Sequence, residues 1–393
     1  MTDVLYLAWR YLAHHRVKTA ILVASIALIV FLPVGLNVLV GQSAEQLTAR
    51  AEATPLLVGA KGSPLELALS SLYFESDVPD AIAWAEVESI AESGLAEPIP
   101  LDARFRARAN PIVGTSLEYF DFRGLRLAAG RRMAVVGECV VGARAAVELG
   151  VELGAAVLSS PESAFDLAGV YPLRMRVVGI LAPAHTPDDR AVFVDVKTSW
   201  IIRGLGHGHQ DLAAAGAASG VLKREGDLIT ANASVVQYNE ITPENVDSFH
   251  FHGDLGAYPL TGVIAVPHDE KSGVLLMGRF ERSDAPAQIV RPAAVMAELL
   301  DTVFTVRAYV VAAIGFAGAA TLATAALVFL LSLRLREREI ETLVKIGGSR
   351  ARVAAILMSE IAVVLALAAA LAGGLSALAS RFGSAAIRMW IAS

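Results

Sequence analysis

Apolar residues fall in three long blocks near the two ends of the chain and in short, interrupted runs between them. Residues 20–40 are 21 uncharged positions, and apolar runs of greater length follow at 308–333 and 353–379. Each exceeds the ~20 helical residues that cross a hydrocarbon core, so three membrane helices are expected. Pro33 is expected to kink the first of them. Ahead of it, residues 3–18 place Val4, Leu5, Leu7, Ala8, Tyr11 and Leu12 on one helical stripe, with Arg10, His14, Arg16 and Lys18 off it or at its end. That is the pattern of an amphipathic helix at a membrane surface.

No other block of that length occurs between residues 42 and 306. Residues 42–53 read as a polar helical stalk. Beyond them, short apolar runs alternate with Gly or Pro turns. Strands are expected at 54–63, 112–114, 135–141, 173–180, 191–194 and 263–266, and helices at 64–74, 143–149, 196–203, 243–248 and 292–304. Within 173–177 the apolar residues alternate with Arg174 and Arg176, the period of a half-buried strand. Residues 213–220, rich in Ala and Gly, are expected as a helix or loop. The fold class expected is an α+β extracytoplasmic domain on an α-helical membrane domain of three transmembrane helices. Its segments are an amphipathic helix (1–18), a first span (19–41), the outer domain (42–306), a second span (307–333), a charged loop (334–352), a third span (353–379) and an interfacial tail (380–393).

Charge orients these segments. The composition, 55% apolar and 18% charged, is that of a membrane protein. Residues 42–307 carry 22 Lys+Arg against 34 Asp+Glu, leaving 11 against 5 elsewhere from chain totals of 33 and 39. Basic flanks around an acidic middle put the N-terminus and residues 334–352 in the cytoplasm, with 42–306 outside. After residue 379 the chain is too short to cross again, so the C-terminus is expected outside, with Phe382, Ile387, Trp390 and Ile391 in the outer interface. The acidic middle argues against nucleic acid as a partner. Residues 41–43 form a small-x-small triplet like a signal-peptidase site, but the apolar block before it is longer than a typical signal core, which favours an uncleaved anchor. The single cysteine, Cys139, excludes an intrachain disulfide and reads as a buried filler of its strand.

Candidate chemistry is sparse. The sequence holds no G-x-x-x-x-G-K-[ST], no H-E-x-x-H and no G-x-S-x-G, and Asp188-Asp189 after Pro187 reads as a turn rather than a catalytic carboxylate pair. The chain is therefore expected not to be an enzyme. Six of its eight histidines lie between His185 and His268, four of them as two H-x-H pairs, His207 with His209 and His250 with His252. On a strand, residues i and i+2 share a face, so each pair offers two imidazoles to one metal, with Asp211, Asp247 or Asp254 as oxygen ligands and zinc or copper as the ion. The alternative is a solvated, histidine-bearing loop. Small residues at Gly315, Ala317, Gly318, Ala319, Ala320, Gly373 and Gly374 let helices approach closely, either at a dimer interface or within one chain.

The charged stretch 334–352 and three further motifs carry a family resemblance. They are Arg336-Glu-Arg-Glu-Ile-Glu-Thr-Leu-Val-Lys-Ile-Gly-Gly-Ser with Glu360 beyond it; Thr54-Pro-Leu-Leu-Val-Gly-Ala-Lys-Gly-Ser-Pro-Leu; Val113-Gly-Thr-Ser-Leu-Glu-Tyr-Phe; and Val177-Val-Gly-Ile-Leu through Thr186-Pro-Asp-Asp-Arg-Ala-Val-Phe-Val. In order and spacing the chain resembles permease subunits of the MacB/FtsX/LolCE-like ABC transporter family. That family has four transmembrane helices; three are expected here, as in a truncated member or a three-helix variant. The resemblance implies a bacterial inner-membrane protein, a homodimer or heterodimer that binds two copies of a separate ATPase, with ATP on that partner subunit, membrane lipid around the spans and a periplasmic adaptor or substrate-binding protein outside. It implies a function of mechanotransmission, in which hydrolysis moves the periplasmic domain to export or extract an envelope substrate; a metal bound at the histidines would add a link to metal handling. The alternative is an ATPase-coupled signalling or scaffold protein that regulates a periplasmic partner. Residues expected at the ATPase contact are Arg334, Arg336, Glu337, Arg338, Glu339, Glu341, Gly347 and Gly348, since complementary charge sets registry there. Glu360 is expected either as a pivot against the loop's basic residues or as a carboxylate snorkelling to the cytoplasmic face.

Overall fold

The computed structural model describes residues 2–75, 79–160, 172–208, 221–225, 228–231, 238–282, 284–335, 337–345 and 349–391. It divides into two compact units, Met1–Ala49 with Ala297–Ser393, and Arg50–Met296.

The first unit is helical. Three of its helices are long and apolar enough to cross a membrane, over Arg16–Gly41, Pro292–Val328 and Ala354–Phe382. Large apolar side chains on them, Ile21, Leu28, Phe316 and Leu327 among others, are exposed, as surfaces that face lipid must be. A small internal contact is made by Ala27, Ala368 and Ala372 with Val23, Ile26 and Phe31. The N-terminal helix Thr2–His14 packs on the last helix and buries Ala8 and Leu12. Leu7, expected on the same stripe, is exposed instead. The helix Arg16–Glu52 runs through Pro33. Two boundaries differ from expectation. The charged stretch read as a loop contains a helix, Glu337–Lys345, and the tail read as interfacial continues the last helix, Arg350–Ile391.

The second unit is built on a ten-stranded mixed sheet. Its order is Ala287–Val290, Leu56–Ala60, Gly262–Pro267, Ala96–Ala107, Asn110–Thr115, Val192–Asp195, Glu138–Val141, Arg174–Leu181 and Leu127–Gly130, with Ala156–Leu158 also paired to Arg174–Leu181. Two neighbouring pairs are parallel, Asn110–Thr115 with Val192–Asp195 and Glu138–Val141 with Arg174–Leu181. The Arg174–Leu181 strand exposes Arg174 and Arg176 and buries Met175 and Val177 in alternation with them, so the alternation seen in the sequence sets its two faces. Helices are started by side-chain caps: Ser63 accepts from Glu66 N ahead of Pro64–Ala68, and Asp195 accepts from Lys197 N ahead of Val196–Ile202. The latter helix delivers Trp200 into a core with Leu56, Val58, Ile90, Tyr258 and Val263. A second core gathers Phe105, Ile112, Cys139, Met175, Val177 and Val194. The helix expected at 243–248 is reduced to a 3-10 turn, Val246–Ser248. There the Asn245 side chain accepts from Thr242 N and donates to Glu240 O, so local hydrogen bonds replace the helical ones.

One edge of the sheet joins two chain segments that are far apart in sequence. Leu56–Ala60 follows the helix that ends at Glu52, and Ala287–Val290 precedes the helix that begins at Pro292. These two strands are antiparallel neighbours, in register Leu57 to Val290 through Ala60 to Ala287. Gln288 Nε2 donates to Ala60 O at 2.8 Å and Lys61 N to Pro286 O at 2.8 Å, extending the pairing past the strand ends.

Candidate functional site

The last turn of the helix Arg16–Glu52 carries Arg50, which turns into the core of the sheet unit and is 8% exposed. Its guanidinium holds Asp188, 1% exposed, in a bidentate pair: Nη1 to Oδ2 at 2.6 Å and Nη2 to Oδ1 at 2.9 Å. Nη2 also donates to Tyr119 Oη at 2.9 Å, Tyr119 Oη donates to Asp188 Oδ1 at 2.7 Å, and Thr186 Oγ1 donates to Asp188 Oδ2 at 2.9 Å. Arg50 Nε bonds the carbonyl of Leu72, and its Cζ lies 5.7 Å from the centre of the Phe74 ring. Thr54 Oγ1 in turn donates to Arg50 O. The planar fork of arginine matches a carboxylate at two points, which gives the pair geometry as well as attraction.

Burial alone would raise the Asp188 carboxyl. The charge and hydrogen bonds of Arg50, with the Tyr119 hydroxyl, win and hold it below the usual carboxylate range. Burial and then the Asp188 charge push the Tyr119 hydroxyl up, so it stays protonated as the donor the network needs. The pair sits where three of the motifs that carry the family resemblance meet: Thr54 from one, Tyr119 on the short helix Glu118–Phe122 from the second, and Asp188 from the turn Pro187–Arg190 of the third. Sequence reasoning read Asp188-Asp189 only as a turn. Asp189 does cap it, accepting from Ala184 N and His185 N at 2.8 Å each, but Asp188 faces inward. A second buried carboxylate, Asp102, accepts from Ser199 Oγ at 2.8 Å and from Arg203 Nη2 at 3.3 Å. Here burial outweighs the attraction of Arg203 and raises the carboxyl.

In the helical unit, Arg334 ends one long helix, and Glu337, Arg338, Glu339 and Glu341 lie on the helix Glu337–Lys345. Arg334, Glu337, Arg338 and Glu341 are exposed, and Glu341 pairs with Lys345 at 3.1 Å. Arg336, Gly347 and Gly348 lie outside the described residues. Glu360 is buried on the last helix. Of the small residues, Gly318 meets the first span closely: a Cβ there would stand 2.7 Å from Ile29 Cγ2.

The histidine expectation is corrected in its pairing. His207 converges with both His250 and His252, so the group draws one imidazole from the first H-x-H pair and two from the second. His209 and Asp211 lie outside the described residues. Asp254, expected as a ligand, instead caps a turn by accepting from Gly256 N at 2.9 Å.

No protein-family model matches the chain, and no curated protein matches it. Among solved structures, the periplasmic region of MacB from Actinobacillus actinomycetemcomitans is similar at 9% identity and a TM-score of 0.35, over 63% of this chain and 94% of that one. The extracellular domain of the noncanonic ABC-type transporter YknZ from Gram-positive bacteria is similar at 10% identity and a TM-score of 0.32, over 60% and 98%.

Proposed function

We propose that this chain is the membrane subunit of an ABC-type system, driven by a separate ATPase and transmitting movement to an extracytoplasmic sheet domain. The observation that carries the reading is the sheet edge at which Leu56–Ala60 and Ala287–Val290 pair. Two helices that contain candidate spans lead directly into these two strands. A displacement along either helix would thus load a shared hydrogen-bonded ladder. Arg50 adds a charged pin between the end of one helix and the turn at Asp188. Such a chain transmits motion without needing a wide channel of its own.

In this reading the N-terminus and the helix Glu337–Lys345 are cytoplasmic, the sheet unit is periplasmic, and the membrane is the bacterial inner membrane. Two copies form a homodimer with two ATPase subunits, which bind ATP in place of any cofactor on this chain. Arg334, Glu337, Arg338, Glu339 and Glu341 contact the ATPase, with Glu360 behind them. A periplasmic adaptor or substrate-binding protein meets the outer unit, and the work done is export or extraction of an envelope substrate.

Purification from native membranes in mild detergent, with mass spectrometry of the recovered partners, tests this. One ABC-type ATPase per chain is expected, and Glu337→Lys with Glu341→Lys should abolish its recovery. The exposed Glu341–Lys345 pair is worth only ~0.3–0.5 kcal/mol, so that variant keeps its fold and a loss reports the contact. Recovery of the wild-type chain without any ATPase, under several mild conditions, overturns the proposal.

A further inference from the structure

We infer that His207, His250 and His252 form a binding site for a divalent transition metal, zinc or copper(II), on the outer unit. The inference stands on the geometry of one small ribbon and is independent of the transport reading. The strands Gly206–Gly208 and Phe249–Phe251 pair antiparallel with His207 directly opposite His250. Directly opposed residues point to the same face, and His252, two residues past His250, shares it. The three ring centroids lie 4.8, 5.0 and 4.7 Å apart, and one ligand nitrogen from each ring falls within 4.8 Å of the others. A tetrahedral site with nitrogen bonds of about 2.0–2.1 Å needs these atoms roughly 3.3 Å apart, a closure that small ring rotations supply.

The other face of the ribbon explains why the histidines are held together. Opposite them Phe251 presses on Gly206 and Phe249 on Gly208, so closely that a Cβ on either glycine would come within 2.5 Å of a ring carbon. Only glycine permits that approach. Phe251 packs edge-to-face on Trp200, with ring centroids 6.3 Å apart, and tilted against Tyr258 at 6.0 Å, which ties the ribbon to the core. Tyr258 Oη donates to His252 O at 2.8 Å and fixes the backbone of the third histidine. His250 Nδ1 lies 2.9 Å from Ser248 O. A carbonyl only accepts, so the proton sits on Nδ1 and Nε2 presents its lone pair, the outer-partner arrangement that orients metal-binding imidazoles.

Three neutral imidazoles suit zinc and copper(II) and disfavour calcium and magnesium, which take oxygen ligands. With three protein donors the fourth position goes to water or to a donor from outside the chain. His252 is exposed, so the ion has a route in from solvent.

The test uses the full chain in detergent, stripped with chelator and titrated with Zn(II) against a chromophoric competitor, with Ca(II) as control. One equivalent of zinc per chain is expected, with a rise in the thermal midpoint and no response to Ca(II). His252→Ala, at the exposed position, and His207→Ala should each weaken zinc binding by more than the roughly 10–100-fold that loss of an outer partner costs. His268→Ala, away from the ribbon, should bind as the wild type does. Absence of stoichiometric zinc binding by the wild type overturns the inference, and so does binding that survives both His207→Ala and His252→Ala unchanged.

Discussion

Asp188 and Asp102 are both buried carboxylates of the sheet unit, yet their surroundings push them in opposite directions. For Asp188 the Arg50 fork outweighs desolvation. Its depressed carboxyl contributes stability that is present above the ordinary range near pH ~4 and is lost as pH falls through the lower folded value. For Asp102 desolvation outweighs Arg203 and Ser199. Its raised carboxyl contributes stability that is fully present below pH ~4 and is lost as pH rises through the higher folded value. Neutral isosteres should therefore behave unequally at neutral pH. Asp188→Asn leaves a buried guanidinium unpaired and should cost about 3–5 kcal/mol. Asp102→Asn should cost less than Asp188→Asn and flatten the stability profile above pH ~4. Chemical denaturation followed by tryptophan fluorescence distinguishes them, because Trp84 and Trp200 pack against each other in the core at 5.3 Å. The double change Arg50→Met with Asp188→Leu should recover only part of the first loss, since it removes both charges together but leaves the buried Tyr119 hydroxyl without its partners.

At the scale of elements, what was legible in the sequence is what is local. The spans announce themselves by length and hydropathy, and the Arg174–Leu181 strand by its period of two. The helix expected at 243–248 failed because Asn245 offers the backbone an alternative set of partners. In the charged stretch, charge density hides the helix Glu337–Lys345. The small residues were readable as places of close approach but not as to which neighbour they meet. The structure separates two of them. Gly318 lies against Ile29, while nothing stands within 4 Å of a Cβ at Gly374. Gly318→Leu should therefore cost about 1–3 kcal/mol as an overpacked contact and lower the thermal midpoint of the solubilised protein, and Gly374→Ala should leave it unchanged within the chain.

Over the whole molecule, the sequence is silent wherever function depends on residues brought together from afar. Arg50 and Asp188 are separated by 138 positions, and nothing in either segment signals the other. The motif that holds Asp188 could be recognised, but Arg50 lies outside every motif, and nothing signals that the two meet in one ion pair. The pairing of Leu56–Ala60 with Ala287–Val290 and the register of His207 against His250 are long-range choices of the same kind. Cys139 has a further consequence. Its thiol is fully buried between paired strands, and burial, with the nearby Glu138 charge, pushes its ionisation up. A thiolate is the nucleophile, so the native chain should resist maleimide reagents until it is unfolded, a difference that mass spectrometry reads directly. The protein is thus chemically silent toward thiol dyes. A single cysteine placed at an exposed position such as Leu158 becomes the only site labelled, and a pair of such dyes, one on each unit, would follow movement between them with no background to subtract.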